Sequence, residues 1–434
     1  MKFSRRELIA GVAAVAASPA IASSGIRRFP NNFLWGAATA GHQVEGNNIN
    51  ADAWLLENIK PTTYAQRSGD ALNSFELWRD DLDLIQQIGL NSYRFSLEWS
   101  RIEPEPGLFS VAMLDHYKRI INVCRDRGLT PIVTFNHFTT PRWFAMQGGW
   151  LHPDASDLFA RYCDRAARHL AADIGYATTL NEPNLARVLA LISPKAREEQ
   201  QRKMLARAAE ILAVPKYVAG NAVNPEDIDA MSLNLLAGHK AGRAAIKAVR
   251  TKLPVGVSLA IIDDQAAPGG EARRDAVRES LYEAWLDAAR NDDFIGVQNY
   301  ERAVWGPNGK LPSPAGVELN AFRQEVYPSS LAGAVRYAHQ RSGVPVLVTE
   351  HGVVTKDDSV RARMIPAALE GLWEASRSGV PILGYIHWSL IDNFEWSLGY
   401  YPTFGLASVD LTTFARTPKP SSAILGRIAR ANGL

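Results

Sequence analysis

Short apolar runs alternate with longer stretches of helical periodicity along most of the chain. The runs are rich in β-branched residues, which is typical of parallel strands buried on both faces. The patterns between them predict helices, for example Asp80–Gly89 and Leu114–Gly128, each ending near a glycine as helix stop signals predict. Eight of the runs are predicted as strands: Phe33–Ala40, Ser92–Leu97, Pro131–His137, Ala177–Asn181, Val255–Ile261, Phe294–Tyr300, Pro345–Glu350 and Gly384–Trp388.

Eight strands alternating with helices predict an α/β fold, a single (β/α)8 TIM barrel. The length alone favours two or three domains, but one barrel can absorb it, and no linker or composition break divides residues 23–434. Barrel enzymes build their active sites at the carboxyl ends of the strands. The polar residues that end the runs are therefore the candidates: Gln43, Glu45, Arg94, Glu98, His137, Asn181, Glu182, Gln298, Tyr300, Glu350 and Trp388.

The composition narrows the chemistry only slightly. With 47 basic and 45 acidic residues the net charge is +2, so nothing favours nucleic acid or an anionic membrane as a partner. The 11 Trp and 13 Tyr could stack on sugar rings, although core packing accounts for most of them. Cys124 and Cys163 are predicted to be buried structural thiols. Since the chain has no zinc-type Cys/His spacing, phosphate loop or Gly-x-Ser-x-Gly elbow, we expect no metal and no cofactor.

The first residues are set aside as a targeting signal. Arg5 and Arg6 precede a weakly apolar run, Ala10–Ala20, and Ala20 and Ala22 form an Ala-x-Ala cleavage site. This pattern resembles a twin-arginine export signal over residues 1–22 and predicts a periplasmic mature protein. The alternative is an amphipathic helix that stays on the protein. The run is too short to span a bilayer, and no later segment resembles a transmembrane helix.

Two acids end apolar runs that lie on opposite sides of the predicted barrel. Glu182 follows the fourth strand and Glu350 ends the seventh, and these strands face each other across the barrel mouth. Each acid alone could equally be part of a surface ion pair. Together they form the pair that glycoside hydrolysis requires, one to protonate the leaving oxygen and one to attack or stabilise the oxocarbenium-like centre.

Several motifs around these acids follow the pattern of one known family. They are Phe33–Ala40 with Gln43–Gly46, Tyr93–Ile102, Asn181–Pro183, Thr349–Gly352, and Trp388–Trp396 followed by Gly399-Tyr400, Phe404–Leu406 and Pro418–Pro420. On these motifs the chain resembles glycoside hydrolase family 1, the β-glucosidase family, from about Phe29 to Pro420. His351 stands where the family usually has Asn.

The resemblance implies a retaining exo-β-glycosidase that works through a covalent glycosyl-enzyme. Glu350 is then the nucleophile and Glu182 the acid/base, with Arg94 and Tyr300 beside the nucleophile. The resemblance also implies that a terminal sugar is bound by Gln43, His137, Asn181, Glu395 and Trp396 and rests on Trp388. The acid at position 395 favours unphosphorylated sugars, because an anion there would repel a phosphate.

The chain also departs from the family pattern. Phe138 stands in place of Trp, Gln298 in place of Asn, and Thr403 in place of Arg. The connection Leu281–Phe294 is shorter than is usual, whereas Ala190–Ala230 is a polar, helix-prone segment without a family counterpart. We therefore expect the first to lower one wall of the mouth and the second to build another, giving an open cleft for a bulky or apolar aglycone.

Other functions remain open at the level of sequence. A transglycosidase would use the same covalent intermediate, and a non-catalytic carbohydrate-binding barrel would keep the fold without the reaction. A hydrolase that cuts polysaccharide internally is disfavoured by Glu395-Trp396, which fits a terminal sugar. The sequence does not show whether glucosides or galactosides are preferred, and it does not show the oligomeric state.

Overall fold

Eight parallel strands form the centre of the molecule. The computed structural model describes residues 27–191 and 194–434, so the predicted signal over residues 1–22 lies outside the described residues. The barrel strands are β1 (Leu34–Ala38), β2 (Ser92–Ser96), β3 (Thr130–Asn136), β4 (Tyr176–Asn181), β5 (Val255–Ala260), β6 (Phe294–Asn299), β7 (Val346–His351) and β8 (Ile382–Trp388). Each begins and ends within two residues of its predicted range.

The strands close on themselves in the order β1-β8-β7-β6-β5-β4-β3-β2, and every pairing between neighbours is parallel. The predicted (β/α)8 barrel is thereby confirmed. All residues of β1, β2, β5, β6 and β7 are buried, because the barrel interior covers one face and the helices cover the other.

Helices of very different lengths surround the barrel. In chain order they are α1 (Gly41–Val44), α2 (Asp52–Asn58), α3 (Ser74–Ile88), α4 (Trp99–Ile102), α5 (Val111–Asp126), α6 (Arg142–Met146), α7 (Ala155–Leu170), α8 (Leu185–Ala190), α9 (Lys195–Ile211), α10 (Ile228–Val249), α11 (Glu271–Arg278), α12 (Ala284–Ala289), α13 (Ser330–Ser342), α14 (Asp358–Arg377) and α15 (Pro420–Ala431). Helix α3 ends at Gly89, whose φ of 92° lies in the left-handed region that glycine adopts most easily.

Smaller elements decorate the mouth of the barrel. A three-stranded sheet joins Asp263–Ala266, Arg302–Gly306 and Gly309–Lys310, and a hairpin pairs Ala407–Val409 with Arg416–Pro418. One π-helical turn, Glu279–Glu283, links α11 to α12. Single 3-10 turns cover Gly149–Leu151, Pro225–Asp227 and Trp396–Leu398.

The two ends of the described chain meet at the amino ends of the strands. Arg27 and Leu434 exchange two backbone hydrogen bonds of 3.1 and 3.2 Å. The indole of Trp35 in β1 donates to Asn432 Oδ1 at 2.9 Å. The first and last residues of this part of the chain thus cover the barrel at the amino ends of its strands.

Cys124 in α5 and Cys163 in α7 are buried free thiols, as the helical patterns predict. Both pack in the main core between the helices and the barrel. None of the helices in the described part of the chain is long and apolar enough to cross a membrane.

Candidate active site

A cavity of about 440 Å³ opens at the carboxyl ends of the barrel strands. Arg94 lies beneath its floor, where its side chain is fully buried. The other predicted site residues all line the cavity: Gln43, His137, Phe138, Asn181, Glu182, Gln298, Tyr300, Glu350, Trp388, Glu395 and Trp396. The twelve residues selected by the strand ends and by the family motifs thus lie in one place.

The strands that carry the two acids both lose their regular register near the cavity. In the β4–β5 pairing, the step of three positions from Thr178 to Asn181 is matched by a step of two positions in β5. In the β6–β7 pairing, the step of two positions from Val348 to Glu350 is matched by a step of one position in β6. Such bulges re-aim side chains, and here they occur immediately before Glu182 and at Glu350.

Glu350 sits between two strong donors. Arg94 Nη1 lies 2.6 Å from Glu350 Oε1, and the Tyr300 hydroxyl donates to Oε2 at 2.6 Å. Burial raises the pKa of Glu350, while the Arg94 charge and both hydrogen bonds counteract that rise by stabilising the carboxylate. The environment therefore favours the ionised form of this acid more than burial alone would allow.

Glu182 is held in a different environment. Its backbone has a φ of 42°, a conformation that residues other than glycine rarely adopt, and its N–H donates to Ser258 O at 2.8 Å. Burial, followed by the nearby Glu350 charge, raises the pKa of Glu182 well above its usual range. This carboxyl group consequently keeps its proton at a pH where an exposed glutamic acid is ionised.

Asn181 connects the parts of the site. Its Oδ1 accepts from Arg94 Nη2 at 2.5 Å and from Gln298 Nε2 at 2.8 Å. Its Nδ2 lies 3.3 Å from His137 Nε2. Because an amide nitrogen can only donate, His137 Nε2 accepts this bond. Burial, followed by the Arg94 charge, holds the pKa of His137 well below its usual value, so its ring is neutral with the proton on Nδ1.

Three buried polar atoms around the cavity have no partner within the described residues: Gln43 Oε1, His137 Nδ1 and Gln298 Oε1. Buried polar groups are normally hydrogen-bonded, so unpaired ones need a specific explanation. All three belong to side chains that line the same cavity. Two acceptors and one donor facing one cavity suit the hydroxyl groups of a sugar, which both donate and accept.

Aromatic rings form the sides of this sugar-sized region. Trp388, at the end of β8, lies nearly parallel to His137 with ring centres 5.7 Å apart. Trp396 lies parallel to His42 at 5.5 Å and meets Phe138 edge-on at 5.4 Å. Flat apolar faces beside polar groups are the arrangement that carbohydrate rings require.

Glu395, the acid expected to disfavour phosphorylated sugars, lies among buried groups. Gln43 Nε2 donates to it at 3.2 Å, and burial, followed by the Glu350 charge, raises the pKa of Glu395 to about 8. The negative charge that would repel a phosphate therefore increases as the pH rises through this value.

Two candidates from the strand-end rule point away from the cavity. Glu98 accepts hydrogen bonds from the His42 backbone at 3.0 Å, from Asn48 at 2.7 Å and from Thr139 at 2.8 Å. Glu45 pairs with Arg101 at 2.8 Å. These acids fasten the loops behind the site instead of facing a ligand.

Comparison with known proteins decides the family. The model of the family described as glycosyl hydrolase family 1 matches residues 26–218 and 310–434, well over half of the chain. The chain belongs to glycosyl hydrolase family 1. The resemblance drawn from the motifs is thereby confirmed, and with it a retaining β-glycosidase acting on small β-glycosides.

Individual members of glycosyl hydrolase family 1 match over nearly the whole chain. Beta-glucosidase A of Thermotoga maritima is 27% identical, over 94% of this chain and 99% of that protein. The crystal structure of β-glycosidase BGL167 is 47% identical with a TM-score of 0.88, covering 94% of this chain and 98% of the other. The apo structure of β-glucosidase 1317 is 40% identical with a TM-score of 0.88, covering 92% and 98%.

The unmatched stretch, residues 219–309, also contributes to the family 1 site, since Gln298 and Tyr300 lie in it. The sequence did not assign Phe322 or Phe404 to the site, although Phe404 belongs to a family motif; both line the cavity from connecting segments. Neither residue ends a strand or follows a periodic pattern, so only the folded chain reveals its position.

Proposed function

We propose that the protein is an exo-acting β-glycosidase for unphosphorylated β-glucosides, with Glu350 as nucleophile and Glu182 as acid/base. The proposal rests on one observation: the surroundings of two neighbouring acids favour opposite protonation states. Glu350 receives Arg94 and Tyr300, which favour its carboxylate, whereas burial and the Glu350 charge favour the protonated form of Glu182. Two carboxyl groups held in opposite protonation states are what general acid catalysis with a carboxylate nucleophile requires.

The reaction then follows in two displacements. A carboxylate oxygen of Glu350 attacks the anomeric carbon while the glycosidic C–O bond breaks and Glu182 gives its proton to the leaving oxygen. In the second displacement, Glu182 takes a proton from water, the water oxygen attacks the same carbon, and Glu350 is released. Two inversions at one carbon leave the anomeric configuration unchanged.

Exo action is supported by the inner end of the cavity. Gln43 Nε2 donates to Asn393 Oδ1 at 3.1 Å, to Phe394 O at 2.9 Å and to Glu395. These contacts join the loop after β8 to α1 and leave room for a terminal sugar, not for a continuing polysaccharide. The names of the β-glucosidase relatives support glucose as that sugar.

The test is a panel of p-nitrophenyl β-glycosides of glucose, galactose, fucose and xylose, followed by proton NMR of the first product formed. We expect the highest kcat/KM with the glucoside and the β-anomer as the first product. Glu350→Gln should abolish turnover with every substrate. An α-anomer as the first product would contradict retention, and products transferred to added alcohols in preference to water would show a transglycosidase.

The place of action is a separate part of the proposal. The paired arginines Arg5 and Arg6 and the Ala-x-Ala site at Ala20–Ala22 support export of the folded protein to the periplasm.

A further inference from the structure

The cavity changes character away from the sugar-binding side chains. Apolar residues dominate its outer part, coming from α8, α10, the connection after β5 and two loops at the mouth. We call this surface the outer wall, and its members used here are Val188, Leu189, Met231, Ile262, Phe322 and Leu398. Three of them are large apolar side chains left open to solvent, with exposed fractions of 41% for Leu189, 38% for Phe322 and 38% for Leu398.

Three polar side chains of the outer part are bonded to the backbone. Gln201 Nε2 donates to Val223 O at 2.6 Å, and Ser232 Oγ donates to Ile228 O at 2.6 Å. Asn320 Oδ1 accepts the backbone N–H groups of Phe322 and Gln324 at 2.9 and 3.0 Å. This is the reverse of the inner end, where Gln43, His137 and Gln298 keep unpaired polar atoms.

A row of aromatic rings connects the two regions. Tyr300, which donates to Glu350, has its ring centre 5.7 Å from that of Phe404. Phe404 in turn lies 6.2 Å from Phe322 at the rim. On the other side, α8 begins three residues after Glu182 and carries Val188 and Leu189 outward. Apolar surface therefore leads away from both catalytic acids to the mouth.

We infer that the outer wall is a binding site for an extended hydrocarbon aglycone, such as an alkyl chain or a fused apolar ring system, and not for a second sugar. This inference rests on the proposed function, because the aglycone must leave from Glu182. A second sugar would place hydroxyl groups against the apolar side chains of the outer wall, and hydroxyl groups buried without a hydrogen-bond partner are costly. A hydrocarbon loses no hydrogen bonds there and covers exposed apolar surface.

Part of the outer wall lies outside the stretches that the family model matches. Residues 219–309, which the family model leaves unmatched, supply Met231 in α10 and Ile262 after β5. The segment Ala190–Ala230, which we expected to have no family counterpart, is matched by the family model as far as residue 218. It contributes Gln201 from α9 and Val223 from the loop after α9. The outer wall is therefore built jointly by matched segments, which supply Val188, Leu189, Phe322 and Leu398, and by the unmatched stretch.

A homologous series of alkyl β-glucosides from methyl to octyl, kept below micelle-forming concentrations, tests the inference. All members share the sugar and have leaving groups of similar basicity, so their kcat/KM values differ mainly by contacts to the chain. A half-buried methylene is expected to raise kcat/KM about twofold, so seven methylenes give roughly 100-fold between methyl and octyl glucoside. Octyl glucoside should also exceed cellobiose.

Matched variants locate the effect. In the double variant Leu189→Gln with Phe322→Gln, the octyl-to-methyl ratio of kcat/KM should fall at least tenfold. Leu233→Gln is the control, because Leu233 on α10 is an exposed leucine (69%) that does not line the cavity, and its ratio should stay at the wild-type value. A flat alkyl series or a preference for cellobiose would overturn the inference while leaving the proposed function intact. Inactivity on every β-glycoside would overturn the proposed function itself.

Discussion

Removing the Tyr300 hydroxyl should move the acidic limb of the pH profile to higher pH. The hydroxyl donates to Glu350 Oε2 at 2.6 Å, and burial, followed by the Glu350 charge, keeps the pKa of Tyr300 well above its usual value, so it stays a donor. The bond stabilises the ionised carboxylate and thereby lowers the pKa of Glu350. A hydrogen bond to a charged group contributes about 1.5–3 kcal/mol, and 1.36 kcal/mol corresponds to one pKa unit, so Tyr300→Phe should raise the pKa of Glu350 by about one to two units.

The sign follows from the role of the group. A nucleophilic carboxylate must be ionised, so activity is lost as the pH falls through its pKa, and a higher pKa brings that loss to higher pH. The assay is kcat/KM for p-nitrophenyl β-glucoside across the acidic range. Tyr162→Phe is the control, because it deletes a buried hydroxyl that donates to Phe135 O at 2.8 Å outside the cavity. A uniform loss of activity in Tyr300→Phe, with the limb at its wild-type pH, would refute this reasoning.

Three further predictions concern the remaining charged groups. Glu182→Gln should lower kcat/KM on methyl β-glucoside by about 10²–10⁴-fold but far less on a dinitrophenyl glucoside, which needs little acid assistance; equal losses would remove Glu182 from the acid role. Since the pKa of Glu395 is raised to about 8, discrimination against a 6-phosphoglucoside should increase between pH 7 and 9 and become independent of pH in Glu395→Gln. A flat wild-type ratio would mean that Glu395 is not titrating there. Changing Arg5 and Arg6 to Lys should leave activity in the cytoplasm of the native host, and unchanged periplasmic activity would disprove the export signal.

The sequence predicted the barrel well because its strands are buried on both faces. Such strands appear as compact apolar runs, and even the boundaries of β5 and β6 were predicted to within one residue. The short strands outside the barrel show no such apolar run in the sequence. The short strand Asp263–Ala266 contains two aspartates and was not predicted, because its pairing with Arg302–Gly306 depends on contacts far apart in the chain.

The candidate site was predictable to the extent that strand ends converge. That rule placed Glu182 and Glu350 together. It also selected Glu98, which does not face the cavity because the path of the following loop turns it toward Asn48. The protonation states of the site residues were harder to predict from the sequence than their positions. The raised pKa of Glu395 depends on burial and on the charge of Glu350, which is distant in sequence and near only in the folded barrel.

The pairing of Arg27 with Leu434 has a practical consequence for how the enzyme can be attached to other objects. Both residues lie at the end of the barrel opposite the cavity. A carrier protein, a resin or a cell-surface anchor joined to Leu434 therefore holds the molecule by its base and leaves the mouth open to substrate. The same proximity makes a circular permutant feasible, in which a short linker joins residues 434 and 27 and new ends are cut in an exposed loop.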